Sequence, residues 1–360
     1  MYLATKSKKV LLLYLRPTIN RVILVFTIMN IPQKSLSLLA VASLLVSTSL
    51  SAVETDPVGY VTISCLGGSD TFTSIPLTGT TSLVSAVASV DSVSSQITID
   101  QSDLVVDAYQ NSHYLRFGAG SALEGAKMTI TANTADTLTL QVQSGYNLGD
   151  AAADDAVEII PHTTLSELFS SVSSIPEETE VFFFDNATNG INKSSAGNYI
   201  YFSPDWYDAV TFDLANGAVL LPDEALIVRV PGDAANDFDL VVAGSVPTVG
   251  HSFSVVTAGA GQNDNFIAPQ APGQIAVATL FSAPSEEDEI LIFDNTVRGQ
   301  NKASSGNYIY FAPNWYDAVT FDLVDTLKVN PWEMAIYRRN DQGSSSATVF
   351  SGRAAYLDNL

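Results

Sequence analysis

The sequence predicts an all-β protein with an N-terminal β-barrel or sandwich followed by two homologous small β units. Short runs of β-branched and aromatic residues alternate with clusters of Asn, Asp, Ser, Gly and Pro along most of the chain, as in proteins built from many short strands. The segment Phe184–Leu214 also recurs without a gap as Phe293–Leu323, with 23 of 31 positions identical. This match indicates an internal duplication.

The first 52 residues are predicted to be a leader. Their apolar runs are all shorter than the roughly 20 residues that span a bilayer. Lys34, the apolar run Leu36–Val46 and the small residues Ser47–Ala52 follow one another in the order of a signal peptide. Because Met29 directly precedes this pattern, we expect translation to start there and the exported chain to begin near Val53. A long tandem leader or an uncleaved anchor is the alternative.

Charge is distributed unevenly along the chain. All 38 acidic residues lie at or after Glu54, whereas six of the 16 basic residues precede it, so the remainder has a formal charge of −28. Such a surface repels phosphate backbones and anionic headgroups, which excludes nucleic acid as a partner. The single cysteine, Cys65, alternates with Val61 and Ile63 and is predicted to be buried in a strand. An intermolecular disulfide is the alternative for this cysteine.

After the leader, the sequence divides into four segments. We predict an N-terminal β domain at 53–160, a first β unit at 161–246, an irregular connector at 247–279 and a second β unit at 280–360. Each unit contains one short helical candidate, Thr164–Ser170 and its counterpart Ala276–Phe281. The strands predicted for the first unit are Val181–Phe184, Tyr199–Phe202, Ala209–Phe212, Ala225–Val230 and Asp239–Val242.

Several motifs resemble a family of uncharacterised secreted β-rich proteins, found as paralogues in Gram-negative environmental bacteria. The resemblance rests on Arg116-Phe117 with Ser121–Gly125, on Thr129–Leu140, on the opening Asp56–Val61 and on Leu221–Arg229. It covers most of the chain after the leader. It implies export to the periplasm, the outer surface or the medium, and it supplies no catalytic residues.

The most conspicuous candidate site is an aromatic motif that occurs in both copies. It comprises Trp206, Tyr207 and Asp208 in the first copy, and Trp315, Tyr316 and Asp317 in the second. An aromatic face beside carboxylates suits the stacking and hydrogen bonding of a sugar ring. The alternative is that the indoles close the end of a barrel or the seam between the two copies. We favour buried indoles, because Val210 and Phe212 follow Trp206 with a period of two, and we place the tyrosines on the wetter face.

A second motif is rich in oxygen ligands. Asp185 and Asn186, with Asp294 and Asn295 in the second copy, are weak candidates for a calcium site. The EF-hand pattern fails, because Ala187 or Thr296 occupies its third position and no glutamate closes the loop. An Asx-rich turn is the expected structure, with no other cofactor.

The lysine that follows this motif in each copy is expected to pair with a neighbouring carboxylate. Lys193 would pair with Asp185, and Lys302 with Asp294. His113, His162 and His251 are scattered, and no nucleophile or zinc-protease motif is present in the sequence. No catalysis is therefore expected, although a pair of carboxylates in a glycan-active enzyme would leave no sequence pattern.

These observations favour a structural or adhesive protein of the cell surface or extracellular matrix. The duplicated aromatic motif would act as a repeated contact surface, since repetition increases avidity. A carbohydrate-binding module, with or without calcium, is the alternative. The expected partners are extracellular polysaccharide or other surface proteins, with no membrane-spanning segment in the exported chain.

The first prediction concerns export. Mass spectrometry of the protein from its native source should find an N-terminus near Val53, because the charged, apolar and small-residue regions occur there in signal-peptide order. Peptides from residues 1–28 in the exported protein would contradict both the cleavage site and the start at Met29.

Overall fold

A computed structural model describes residues 15–18, 21–24, 57–256, 261–268, 270–271, 273–324, 326–330, 332–341 and 346–359. The chain divides into two compact parts, Met1–Thr55 and Asp56–Leu360. In the first part, β1 (Leu15–Thr18) pairs antiparallel with β2 (Arg21–Leu24). The predicted signal-peptide pattern and its cleavage site lie outside the described residues. Within those residues, no helix has the length and apolar character that crossing a bilayer requires.

The second part is all-β, as predicted, and contains a closed six-stranded barrel. Two strands precede this barrel, β3 (Val58–Cys65) and β4 (Ser69–Thr73). The strands follow one another around the barrel in the order β10-β5-β6-β9-β8-β7, and the ring is closed. Of the two predicted architectures, barrel and sandwich, the structure therefore has the barrel. Side chains such as Phe117, Met128 and Leu138 fill its interior. The barrel strands are β5 (Leu83–Asp91), β6 (Gln96–Ile99), β7 (His113–Phe117), β8 (Lys127–Asn133), β9 (Thr137–Gln141) and β10 (Ala156–Pro161).

The first β unit combines strands from both sides of the barrel in sequence. Its five-stranded sheet has the order β14-β13-β12-β16-β4, while β15 pairs with β11 and β17 with β3. Cys65 at the end of β3 is buried in this unit's core, as predicted, and burial raises its pKa to about 12. The later elements are β11 (Thr163–Thr164), α1 (Leu165–Leu168), β12 (Glu180–Phe183), β13 (Gly197–Phe202), β14 (Asp205–Asp208), β15 (Val219–Leu220), β16 (Leu226–Val230) and β17 (Phe238–Ser245).

The second β unit has the same strand order in one continuous stretch of sequence. Its sheet runs β19-β25-β21-β22-β23, while β20 pairs with β24 and β18 with β26. Equivalent strands therefore take equivalent partners in the two units. The elements are β18 (His251–Val256), β19 (Gly261–Ile267), β20 (Ile275–Ala276), α2 (Val277–Leu280), β21 (Glu289–Ile292), β22 (Gly306–Phe311), β23 (Asn314–Asp317), β24 (Lys328–Val329), β25 (Ala335–Asp341) and β26 (Ala347–Gly352).

This pairing revises the predicted segment boundaries. Residues 58–73 pair with the first β unit rather than with the barrel. In the sequence, the barrel is therefore inserted into the first β unit, between β4 and β11. The predicted connector 247–279 contains β18 and β19, which are the counterparts of β3 and β4. The predicted strand Ala209–Phe212 is wrong, because that segment is a turn that folds back on β14.

The two β units join through a reciprocal contact at their edge strands. The Asn186 side chain accepts from the amide of Phe266 in β19 at 2.8 Å and donates to its carbonyl at 2.9 Å. Asn295 makes the same two bonds with Phe72 in β4, at 2.9 and 2.8 Å. Each asparagine side chain thus binds an N–H and a C=O at a strand edge of the other unit, which would otherwise be left unpaired.

Aromatic stacking accompanies these hydrogen bonds. Phe184 stacks on Phe266 with ring centroids 3.8 Å apart, and Phe293 stacks on Phe72 at 3.9 Å. These rings, with Ala225, Ala268 and Met334, form a small core between the units. The contact is therefore isologous: each unit gives a loop and receives one.

The second prediction concerns these amides. Asn186→Ala and Asn295→Ala should each lower the free energy of unfolding by about 1–3 kcal/mol, because each leaves a partly buried N–H and C=O without a partner. Urea unfolding of residues 53–360 measures this loss. Asn189→Ala, at an exposed position of the same loop, is the matched control and should change stability by less than about 0.5 kcal/mol. Equal effects at Asn186 and Asn189 would contradict the contact.

Candidate functional site

The two predicted tryptophans are core residues in equivalent positions. Trp206 in β14 is 2% exposed and Trp315 in β23 is 4% exposed. The Trp206 ring lies 4.7 Å from Phe169, and the Trp315 ring lies 6.2 Å from Phe281. Both indoles therefore fill the interior of a β unit and offer no platform to a sugar ring.

The tyrosines that follow lie on the other face of each sheet. Tyr207 and Tyr316 are half-buried. Their rings lie 6.3 Å from Phe202 and 6.2 Å from Phe311, respectively. This placement agrees with the expected wetter face, although the neighbouring phenylalanines cover part of each tyrosine.

Asp208 and Asp317 hold the backbone of the turns that follow them. The Asp208 carboxylate accepts from the amides of Val210 and Thr211, both at 2.8 Å, and Asp317 makes the same two bonds in the second unit. Hydrogen bonds, first from the Thr211 amide and then from that of Val210, hold the pKa of Asp208 below its ordinary value. The structure thus uses these predicted ligand-binding carboxylates within the chain.

These turns expose the apolar side chains that the period-two argument placed with the indole. Phe212 is 63% exposed, and Val210 and Leu214 beside it are also exposed. Val210 and Phe212 do not share the face of the indole, because β14 ends at Asp208 and the chain then turns. We call residues 209–214 and 318–323 the apolar turns. Their sequence predicts a strand instead of an exposed turn, because apolar and polar residues alternate there in both copies.

The backbone of both apolar turns is strained at the same residue. Phe212 and its counterpart Phe321 each have φ of +59°, a region that bulky side chains rarely adopt. Phe321 is 63% exposed, as is Phe212. A conformation that disfavours large residues therefore carries an exposed phenylalanine in both units.

The candidate calcium residues participate in turns and in the contact between the units. The Asp185 carboxylate accepts from the Ala187 amide and the Thr188 hydroxyl, both at 2.7 Å. Asp294 accepts from the amide and hydroxyl of Thr296, at 2.8 and 2.6 Å. Asn186 and Asn295 bind the opposite edge strands, as described above. Among the described residues, no group of three or more His, Cys, Asp or Glu side chains is arranged to hold a metal ion.

The lysines do not form the predicted ion pairs. Lys193 Nζ donates to the main-chain carbonyl of Asp185 at 3.4 Å. Lys302 Nζ donates to the carbonyls of Asp294 and Val297, at 2.9 and 3.0 Å. The aspartate carboxylates are occupied by their own turns, so the ammonium groups bind the backbone instead.

His113 and His162 are neighbours, because His113 in β7 pairs with Pro161 in β10, whereas His251 lies in β18. His162 and His251 are buried, and burial lowers the pKa of each to about 4. His113 is more accessible and contacts the hydroxyls of Ser82 at 3.2 Å and Ser112 at 2.8 Å.

The third prediction contrasts the tryptophans with the phenylalanines of the apolar turns. Trp206→Ala and Trp315→Ala should each lower the free energy of unfolding by about 3–5 kcal/mol, because each leaves a cavity in a packed core. Phe212→Gly and Phe321→Gly should leave it within about 1 kcal/mol of the parent, because glycine adopts positive φ without strain. Denaturant unfolding of the four variants tests this, and a severe loss in the glycine variants would show that the turns support the fold.

Comparisons of the chain with protein-family models, with curated proteins and with solved structures find no match. Within the chain, the two units provide a comparison of their own. Positions that agree in both residue type and environment include the buried tryptophans, the turn-holding aspartates, the exposed phenylalanines at positive φ and the asparagines that bind the opposite edge strand.

Proposed function

We propose that the exported chain is a non-catalytic adhesive protein of the cell surface or extracellular matrix, and that its two apolar turns hold an apolar surface of a partner protein. The observation that carries this proposal is the exposure of Val, Phe and Leu at equivalent positions of both turns. Clustered apolar side chains that remain exposed on a folded protein often mark an interaction site.

The conformation of the turns supports the proposal. Positive φ at a residue other than glycine costs of order 1–3 kcal/mol, and the exposed rings of Phe212 and Phe321 regain little of it by burial within the chain. Glycine would fit the same backbone without that strain. A contact outside the chain accounts for phenylalanine at both positions.

Charge and duplication support a partner other than a second copy of this chain. The formal charge of −28 from Glu54 onward opposes self-association. Two equivalent turns on one chain can engage two contacts on an extended partner, and linked contacts raise the apparent affinity by roughly 10² to 10⁴. Such avidity is what a surface adhesive requires.

The fourth prediction tests the turns directly. Fluorescently labelled chain 53–360 is incubated with cells and extracellular matrix of the producing bacterium, and the retained fraction is measured against concentration. The pair Val210→Ser with Phe212→Ser should weaken retention by roughly 10² to 10⁴, because avidity is lost. Adding Val319→Ser with Phe321→Ser should abolish retention.

Matched controls lie on the barrel. Val93→Ser and Val105→Ser also replace exposed valines and should leave retention unchanged. Protease treatment of the cells should remove it. Retention that survives the four-residue variant, or that persists after protease treatment, would contradict binding of a protein partner through the turns.

A further inference from the structure

A cleft of about 730 Å³ opens between the two β units, beside the reciprocal contact. Most of its walls come from residues at equivalent positions of the units. Three such pairs define its character: Phe184 with Phe293, Lys193 with Lys302, and Ser195 with Ser304. The cleft lies away from the residues of the apolar turns, and the proposed adhesion does not use it.

The cleft concentrates positive charge on an acidic protein. Ten basic residues follow Glu54, and four of them line this cleft. Two of the four are arginines paired with aspartate: Arg229 lies 2.7 Å from Asp70, and Arg338 lies 2.7 Å from Asp264. The two lysines are the remaining cations.

The lysine ammonium groups form no salt bridge within the part of the chain that the structure describes. Both donate to main-chain carbonyls, as described above. Burial lowers the pKa of both lysines, although Asp264 and Asp185 attract Lys193, and Asp70 and Asp294 attract Lys302, at longer range. An anion bound beside them would supply the direct ionic contact that none of these aspartates makes.

The remaining walls suit a ligand that has both ring faces and hydroxyls. Phe182, Phe184 and Phe293 are half-buried, and stacking on the edge strands fixes the last two. Ser195 and Ser304 line the cleft near the lysines, and neither hydroxyl has a hydrogen-bond partner among the described residues. Sugar rings present C–H faces to aromatic rings and hydroxyls to such side chains.

We propose that this cleft binds a segment of an acidic polysaccharide, with Lys193 and Lys302 contacting carboxylate or sulfate groups on the sugar chain. An extended peptide is less well served, because the strand edges beside the cleft are already paired by Asn186 and Asn295. The acidic surface elsewhere repels a polyanion, which confines binding to this cleft.

The differences between the two walls fit a directional ligand. Phe182 of the first unit corresponds to Leu291 of the second, and Ser194 corresponds to Ala303. A polysaccharide runs in one direction, so it cannot contact two identical walls identically. These substitutions give the walls different aromatic and hydroxyl groups for the two ends of the segment.

The fifth prediction is tested by isothermal titration calorimetry of chain 53–360. The probes are a hexamer of galacturonate, a sulfated dextran hexamer, a neutral dextran hexamer and a hexamer of L-glutamate. One or both acidic sugars should bind, and the neutral sugar and the peptide should not. The galacturonate and sulfated dextran titrations distinguish carboxylate from sulfate as the recognised group.

Lysine variants place the binding in the cleft. Lys193→Gln and Lys302→Gln should each weaken binding about tenfold, and the double variant about a hundredfold, because each removes a charge-assisted contact. Lys193→Arg should retain most of it. Lys328→Gln, at an exposed lysine outside the cleft, is the control and should have no effect.

Three results would overturn the proposal: equal binding of neutral and acidic sugars, equal binding of the glutamate peptide, or wild-type affinity in the double variant. Thermal melting of each variant separates loss of binding from loss of fold. Phe212→Ser with Phe321→Ser should bind the sugar normally, so failure of the adhesive proposal and failure of this one are distinguishable.

Discussion

Each β unit has one edge strand whose backbone groups are satisfied by a side chain of the other unit. Asn186 completes the edge at Phe266, and Asn295 completes the edge at Phe72. Exposed strand edges promote association with other chains, and this exchange covers both within one molecule. The stacked phenylalanines and the cleft depend on it, because both lie where the two loops cross.

The opposite edge of each sheet is covered by a segment of the same unit. There the chain turns after Asp208 or Asp317 and folds back, so that Ala215 donates to the carbonyl of Trp206 and Val324 to that of Trp315. The edges are again covered, but here the covering segment exposes apolar side chains. One edge of each sheet therefore contacts the other unit, and the opposite edge exposes apolar side chains to solvent.

The sequence was informative where one residue's environment is set by local alternation or by the repeat. It predicted all-β structure, four of the five strands named for the first β unit, both short helices, and burial of Cys65 and the tryptophans. It did not show that β4 and β19 are equivalent edge strands. The two strands share only the pattern Asp-x-Phe, at Asp70 and Phe72 in β4 and at Asp264 and Phe266 in β19. Those are the positions that pair with arginine and stack on phenylalanine, and the other positions are free to differ.

The candidate site was harder to predict because its residues act through contacts distant in sequence. The Asn-rich loop looked like a cation site, yet its amides bind strands 80 and 223 residues away. The lysines looked like members of local ion pairs, yet the nearby carboxylates are held by their own turns. An arginine repeated in both copies, Arg229 and Arg338, was the signal that could have led to Asp70 and Asp264.

Hydrogen exchange of the native chain 53–360 tests the reciprocal contact most directly. The amides of Phe72 and Phe266 should exchange as slowly as those in the central strands of their sheets, because a side chain of the other unit holds each one. In Asn295→Ala, protection should fall at Phe72. Rapid exchange at both amides in the unaltered chain would contradict the account.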